Sequence, residues 1–277
     1  RRIMFTVANA GSVNSGRVED VGNFAKVLSS VDYRVPIIVD AAQQWLLLSM
    51  LGENYPMWDF RVENVDAIVA DPHKTEASTY PGGFIAFRDS DYASDTRMPN
   101  SYLCTDDPIP FDMKDVMQQL PQMSTSRSAL GAVSTWAYLL MHEKISLREK
   151  YKRNLGVVKK LADYIRSSRH YSLLCEPQTT VVPFHTKDTD DEKAHELYNS
   201  MITSEEEPRF YIGYSDSMRI FTHNDLLEYG ARKRAQYANK IDGHGGLYIQ
   251  VMPHLTEDLA DILIDRLDRY GEKTRKV

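Results

Sequence analysis

The chain has 277 residues, 42% of them hydrophobic and 26% charged, an ordinary globular mixture that can bury a core. With 39 acidic against 33 basic residues the net charge is −6, and no long basic run stands out, which argues against nucleic acid or an anionic membrane surface as partner. No apolar run approaches the ~20 residues of a membrane span. Cys104 and Cys175, the only two cysteines, have neither metal-like spacing nor disulfide density, so the expected compartment is the reducing cytosol.

The sequence opens on Arg1-Arg2-Ile3-Met4-Phe5, without an initiator Met, and reads as beginning in the middle of a fold. Residues 3–8 (IMFTVA) read as a buried strand, and Asn9 to Gly16 (NAGSVNSG) as a turn. Val18, Val21, Phe24, Ala25 and Leu28 follow a helical period. Ile37-Ile38-Val39 is a second strand ending at Asp40, and helical or irregular sequence runs on to about Asn64. Ala67–Ala70 is a third strand and Gly83–Arg88 a fourth. Strand and helix alternation predicts an α/β sheet with mainly parallel strands. The span from Lys74 to Gly83 is too short for a crossover helix, so the fourth strand is expected to return antiparallel.

Residues 89–123 are polar and proline-containing and read as a long loop. Ser126 to Met141 reads as a helix, and residues 145–168 as a second, charged amphipathic one. Short elements follow: TTVVPF (179–184), a helix from Asp191 to Met201, FYIGY (210–214), GLYIQVM (246–252) and a last helix from about Thr256 to Tyr270. A composition shift near 145–150 marks a candidate boundary, giving units of 1–147 and 148–277.

In open α/β sheets ligands bind beyond the carboxyl ends of the strands. Three strands here end in polar residues: Asn9, Asp40, and the group Asp71-His73-Lys74. Neighbouring strands lie about 4.8 Å apart, so such groups could line a patch the size of one aromatic ring. An acid and an amine at two strand ends suit pyridoxal phosphate, which needs a lysine to bind it and a carboxylate to keep its ring nitrogen protonated. Taken singly, Asp40 is as readily a turn residue, His73 a structural histidine and Lys74 a loop lysine. Their joint spacing favours chemistry.

The stretches IIVDAAQQW (Ile37–Trp45), VDAIVADPHKT (Val65–Thr75) and YPGGFIAFRD (Tyr80–Asp89) resemble the pyridoxal-phosphate-dependent amino-acid decarboxylases that include glutamate, aromatic amino-acid and tyrosine decarboxylases. TVANAGSVNSGRVEDV (Thr6–Val21) and STSRSALGAVSTW (Ser124–Trp136) extend the likeness. The resemblance implies the aspartate-aminotransferase-like fold (PLP fold type I). Residues 1–147 would be the C-terminal portion of the large cofactor domain and 148–277 a smaller C-terminal α+β domain, with the N-terminal half of the family's chain having no counterpart here. It implies decarboxylation of an L-amino acid to an amine and carbon dioxide, with an aromatic substrate such as tyrosine favoured over an acidic one such as glutamate. The alternatives are another reaction of the same fold (a carbon–carbon lyase, desulfurase or aminotransferase) or a non-catalytic relic or partner subunit.

By the same resemblance, Lys74 is the Schiff-base lysine and Asp40 the partner of the pyridine nitrogen. Ala42 packs on a ring face, His73 and Asp71 belong to the cofactor site, and Asn9 stands where a threonine reaches the ring hydroxyl. Ser126 and Arg127 fall in a segment that touches the phosphate of the neighbouring subunit, so a homodimer is implied, with a second chain supplying the N-terminal half as a variant of that arrangement. Tyr102 is the candidate proton donor on the loop after the fourth strand. Gln43-Gln44 departs from the aromatic–glycine pair the family usually carries after its Asp-Ala-Ala.

Overall fold

The computed structural model describes residues 3–76, 78–89, 91, 128–187, 191–215 and 246–274. Backbone contacts divide the chain into two units, the first formed by Arg1–Ala10, Glu19–Trp45 and Gly52–Glu143, the second by Gly11–Val18, Leu46–Leu51 and Lys144–Val277.

The first unit is built on four strands, β1 (Thr6–Asn9), β2 (Ile37–Asp40), β3 (Val65–Ala70) and β4 (Phe84–Phe87), in spatial order β1-β2-β3-β4. β1, β2 and β3 run parallel, and β4 pairs antiparallel with β3, as the short connection requires. Helix α1 (Val21–Leu28) lies in the crossover between β1 and β2, and Asp20 caps it by accepting the Asn23 N–H at 2.9 Å. The β-branched run of β2 alternates cleanly. Ile37 and Val39 are fully buried on one face, while Ile38 and Asp40 are half-buried on the other. Asn9, the register partner of Asp40, shares that second face.

The expectation of a buried strand over residues 3–8 is corrected. β1 starts at Thr6, and Met4, Phe5 and Val7 are exposed. Among the described residues β1 pairs on one side, with the four-residue β2, which matches its length and its exposure. Helix α2 (Trp45–Met50) follows β2 and buries Leu46, Leu47 and Leu48, and a single turn, α3 (Pro72–Thr75), follows β3. Helix α4 (Leu130–Met141) begins four residues later than the sequence suggests.

The second unit is an antiparallel sheet of β5 (Tyr171–Leu173), β6 (Val181–Thr186), β7 (Gly213–Ser215) and β8 (Gly246–Gln250), ordered β5-β6-β8-β7. It packs with α5 (Lys144–Ser167), α6 (Asp191–Thr203) and α7 (Glu257–Thr274). α5 buries Leu147, Tyr151, Val158, Leu161 and Ile165 at helical spacing, and the last three meet Phe184 and Leu263 in one core. The predicted strand FYIGY is reduced to β7, in which Gly213, Tyr214 and Ser215 pair with Tyr248, Leu247 and Gly246. The turn 11–18 is fixed within this unit. The Gly16 carbonyl accepts from the Thr179 hydroxyl at 2.9 Å, and Gly16 adopts a positive φ of 65° that favours glycine. No helix among the described residues is long and apolar enough to cross a membrane.

Candidate active site

The polar strand ends lie side by side. Asn9 and Asp40 are direct register partners at the carboxyl ends of β1 and β2, and Asp40 faces Val69 on β3. The Asp40 carboxylate folds back to accept the Ala42 N–H at 3.0 Å, an Asx turn that ends β2. The Ala42 carbonyl in turn accepts the Asp71 N–H at 3.0 Å, so the segment after β2 is stitched to the residue that opens α3. Ala42 itself is buried. Asn9 is held through its backbone, donating to the Glu19 carboxylate at 2.8 Å and accepting the Glu19 N–H at 3.0 Å.

Lys74 sits on α3, one turn past β3. Its Nζ pairs with the Asp71 carboxylate at 2.8 Å, the i,i+3 spacing of a helical turn, with side chains 42% and 21% exposed. The described ion pair of Lys74 is thus with Asp71 on its own turn, while the Asp40 carboxylate is engaged with the Ala42 N–H. Gly83 is needed beside this pair, since a Cβ built there would collide with the Asp71 carboxylate oxygen. The antiparallel return of β4, with Phe84 beside Ala70, brings Gly83 to that position.

His73 is oriented by the same return. Its Nδ1 accepts the Gly82 N–H at 3.2 Å, and its ring meets the Tyr80 ring edge-on at 4.9 Å between centroids. An accepting Nδ1 leaves the proton of the neutral imidazole on Nε2, where it can be donated to an anion. Thr75 fastens the far side of the turn, its hydroxyl reaching the Gln43 carbonyl at 3.3 Å and the neighbouring Glu76 carboxylate.

Asn9, Asp40, Ala42, Asp71, His73 and Lys74 therefore all belong to the strand-end region of one sheet. Tyr102, Ser126 and Arg127 lie outside the described residues. Gly82 and Gly83 escaped the sequence reading, although a Gly-Gly pair directly after a lysine-bearing loop is itself a signal of close backbone approach. Among the described residues no cluster of His, Cys, Asp and Glu could hold a metal ion.

Residues 1–187 match the model of the pyridoxal-dependent decarboxylase conserved domain. A probable L-tyrosine/L-aspartate decarboxylase of Methanothermobacter thermautotrophicus is 26% identical over 182 residues, 65% of this chain and 46% of that protein. An L-aspartate/L-glutamate decarboxylase of Pyrococcus horikoshii is 28% identical over 188 residues, 65% of this chain and 45% of that protein. The chain spans about half the length of the curated relatives it matches. Among solved structures, Oryza sativa TDC with PLP and tryptamine superposes with a TM-score of 0.73 at 18% identity, covering 98% of this chain and 51% of that one. Lactobacillus brevis glutamate decarboxylase superposes with a TM-score of 0.68 at 19% identity, covering 95% and 54%. These likenesses establish the fold, that of the PLP fold-type-I decarboxylases. With the match spanning residues 1–187, the chain belongs to the pyridoxal-dependent decarboxylase family.

Proposed function

We propose that this chain serves in the pyridoxal-phosphate-dependent decarboxylation of an L-amino acid, with an aromatic substrate such as tyrosine favoured over an acidic one. The observation that carries the reading is an amine on the turn just beyond β3, next to a strand, β2, that ends in the Asp40 carboxylate. Residues 1–147 form the C-terminal portion of the cofactor domain in this reading, and 148–277 the small domain. The protein acts in the cytoplasm as a homodimer, or with a second chain that supplies the N-terminal half.

The residues present fit the cofactor. Lys74 is 42% exposed and accessible to an aldehyde. One oxygen of Asp40 takes the Ala42 N–H, and the carboxylate is half-buried at the edge of the same region. Ala42 offers a small side chain beside it. Pyridoxal phosphate, when bound, supplies a sink for the electron pair released by the breaking carbon–carboxylate bond.

The remaining work falls to the chain. Lys74 would hold the cofactor through Nζ, and Asp71 pairs with and orients that amine. Asp40 would serve the ring nitrogen, His73 would offer its Nε2–H to the phosphate, and Asn9 would supply a polar side chain near the ring hydroxyl. Ser126 and Arg127 serve the phosphate across the dimer, and Tyr102 is the candidate donor that returns a proton to the substrate carbon.

Full-length protein mixed with pyridoxal phosphate should develop a visible absorbance band that Lys74→Ala abolishes. Incubation with a panel of amino acids should release carbon dioxide and the matching amine. A keto acid as product would sink the decarboxylase reading in favour of an aminotransferase.

A further inference from the structure

Resting on Lys74 as the reactive amine, we infer that Ser78 and Ser134 are positioning residues, which hold the lysine loop against α4 and so set how His73 and Lys74 are presented. Ser78 follows Lys74 by four residues and is 9% exposed. Its hydroxyl reaches the Gly131 carbonyl at 3.1 Å and shares hydrogen bonds with the hydroxyls of Ser134 at 3.0 Å and Thr135 at 2.8 Å. Thr79 adds two more bonds to Ser134, from its backbone N–H at 3.1 Å and through its hydroxyl at 3.0 Å. Ser134 and Thr135 also reach the Gly131 carbonyl, at 3.1 and 2.7 Å.

Three hydroxyls from two distant segments thus converge on one carbonyl, and a fourth, that of Thr79, joins them through Ser134. Each carries one proton and two lone pairs, so several proton distributions satisfy the cluster. Ser78 is buried and its partners Thr79, Ser134 and Thr135 are half-buried, a setting in which linked hydrogen bonds reinforce one another. Beside it, the backbones of loop and helix touch directly, since a Cβ on Gly131 would collide with the Pro81 carbonyl oxygen.

The cluster connects to the amine through one intermediary. Gly82 packs against the Ser78 hydroxyl, where an added Cβ would stand at 2.8 Å, and the same Gly82 gives its N–H to His73 Nδ1 at 3.2 Å. His73 is the residue before Lys74. A displacement of Ser78 therefore passes to Gly82, to the imidazole and to the turn that carries the amine. Neither Ser78 nor Ser134 is placed against substrate or cofactor, and both act through other residues.

The test uses the full-length protein with Ser134→Ala, Ser78→Ala and the conservative Ser134→Thr. Three quantities are read: the pH dependence of the absorbance band formed with pyridoxal phosphate, the rate of cofactor loss to an excess of scavenger, and hydrogen exchange of residues 73–83 in cofactor-free protein. Ser134→Ala is expected to lose the cofactor about tenfold faster, the scale of one hydrogen bond lost from a buried network. It should also move the midpoint of the band and speed exchange in residues 73–83, and Ser134→Thr should restore all three. Where Ser134→Ala does not fold, Thr135→Val, which keeps the shape and removes one hydroxyl, carries the same test. Parental band and cofactor loss in Ser134→Ala, or no recovery in Ser134→Thr, overturns this inference alone. A parent that takes up no pyridoxal phosphate overturns the decarboxylase reading, and the inference with it.

Discussion

Replacing Gly131 with alanine sets two effects of opposite sign against each other. Gly131 lies inside α4, where alanine is favoured over glycine by about 0.8–1 kcal/mol through backbone entropy. Against that gain, the new Cβ would press into the Pro81 carbonyl oxygen and stand at 2.8 Å from the Gly82 Cα. Both obstacles are backbone, so no side-chain rotation relieves them, and overpacking of this kind costs about 1–3 kcal/mol. With only backbone to yield, the cost belongs in the upper part of that range, about 2–3 kcal/mol, so the clash should prevail with a net loss of about 1–2 kcal/mol. Gly156 in α5 is the internal control. A Cβ there meets nothing within 4 Å, so Gly156→Ala should realise the helical gain undiminished. At about 2–4 °C per kcal/mol for a chain of this size, Gly131→Ala should melt several degrees below the parent and Gly156→Ala about 2–4 °C above it. Trp45, Trp58 and Trp136 all belong to the first unit, so their fluorescence follows the Gly131 variant, and far-ultraviolet circular dichroism follows the other. A Gly131→Ala protein as stable as the parent would show that helix and lysine loop are not in the contact described.

Asp71→Asn keeps the shape beside Lys74 and removes its counter-ion. Partly exposed ion pairs are worth about 0.2–1 kcal/mol, so labelling of Lys74 by an amine-specific reagent at neutral pH should accelerate by up to about fivefold, read by peptide mass spectrometry. Tyr171 donates its buried hydroxyl to the Leu267 carbonyl at 2.8 Å, and Tyr171→Phe should lower the unfolding free energy in urea by about 1 kcal/mol, with no change as the contrary result. Burial raises the Tyr55 and Tyr270 phenols from 10.0 to about 12, so the folded chain binds those protons more tightly than the unfolded chain. Stability from these groups is whole below pH 10 and should be lost as the pH rises toward 12, seen as a falling urea midpoint over that window. Burial likewise raises the Cys175 thiol, with Arg17 opposing and Glu176 adding to the shift, so its alkylation should keep accelerating with pH after an exposed thiol has levelled off.

The parallel strands were legible because their signal is local. Ile37-Ile38-Val39 and Ala67–Ala70 are short apolar runs closed by polar residues, and the span from Lys74 to Gly83 fixed the direction of β4. Strand β5 was not legible, since Tyr171–Leu173 is three residues long and shows no alternation a window could detect. The pairing of Lys74 with Asp71 was missed, although their i,i+3 spacing on one turn is a local signal for it. The joining of Ser78 to Ser134 had no local signal at all. Each is an ordinary hydroxyl residue, and 56 positions separate them.

The antiparallel turn-back of β4 has a mechanical consequence for the lysine. The stretch between Ala70 and Phe84 is a tether pinned at both ends, because those two residues are ladder partners. The thermal amplitude of such a tether is smallest next to its pins and largest at its crown. Lys74 stands four residues from one pin. The hydrogen bonds of Ser78 and Thr79 to Ser134 add a third pin near the middle, so the amine is kept at a steady address on the sheet.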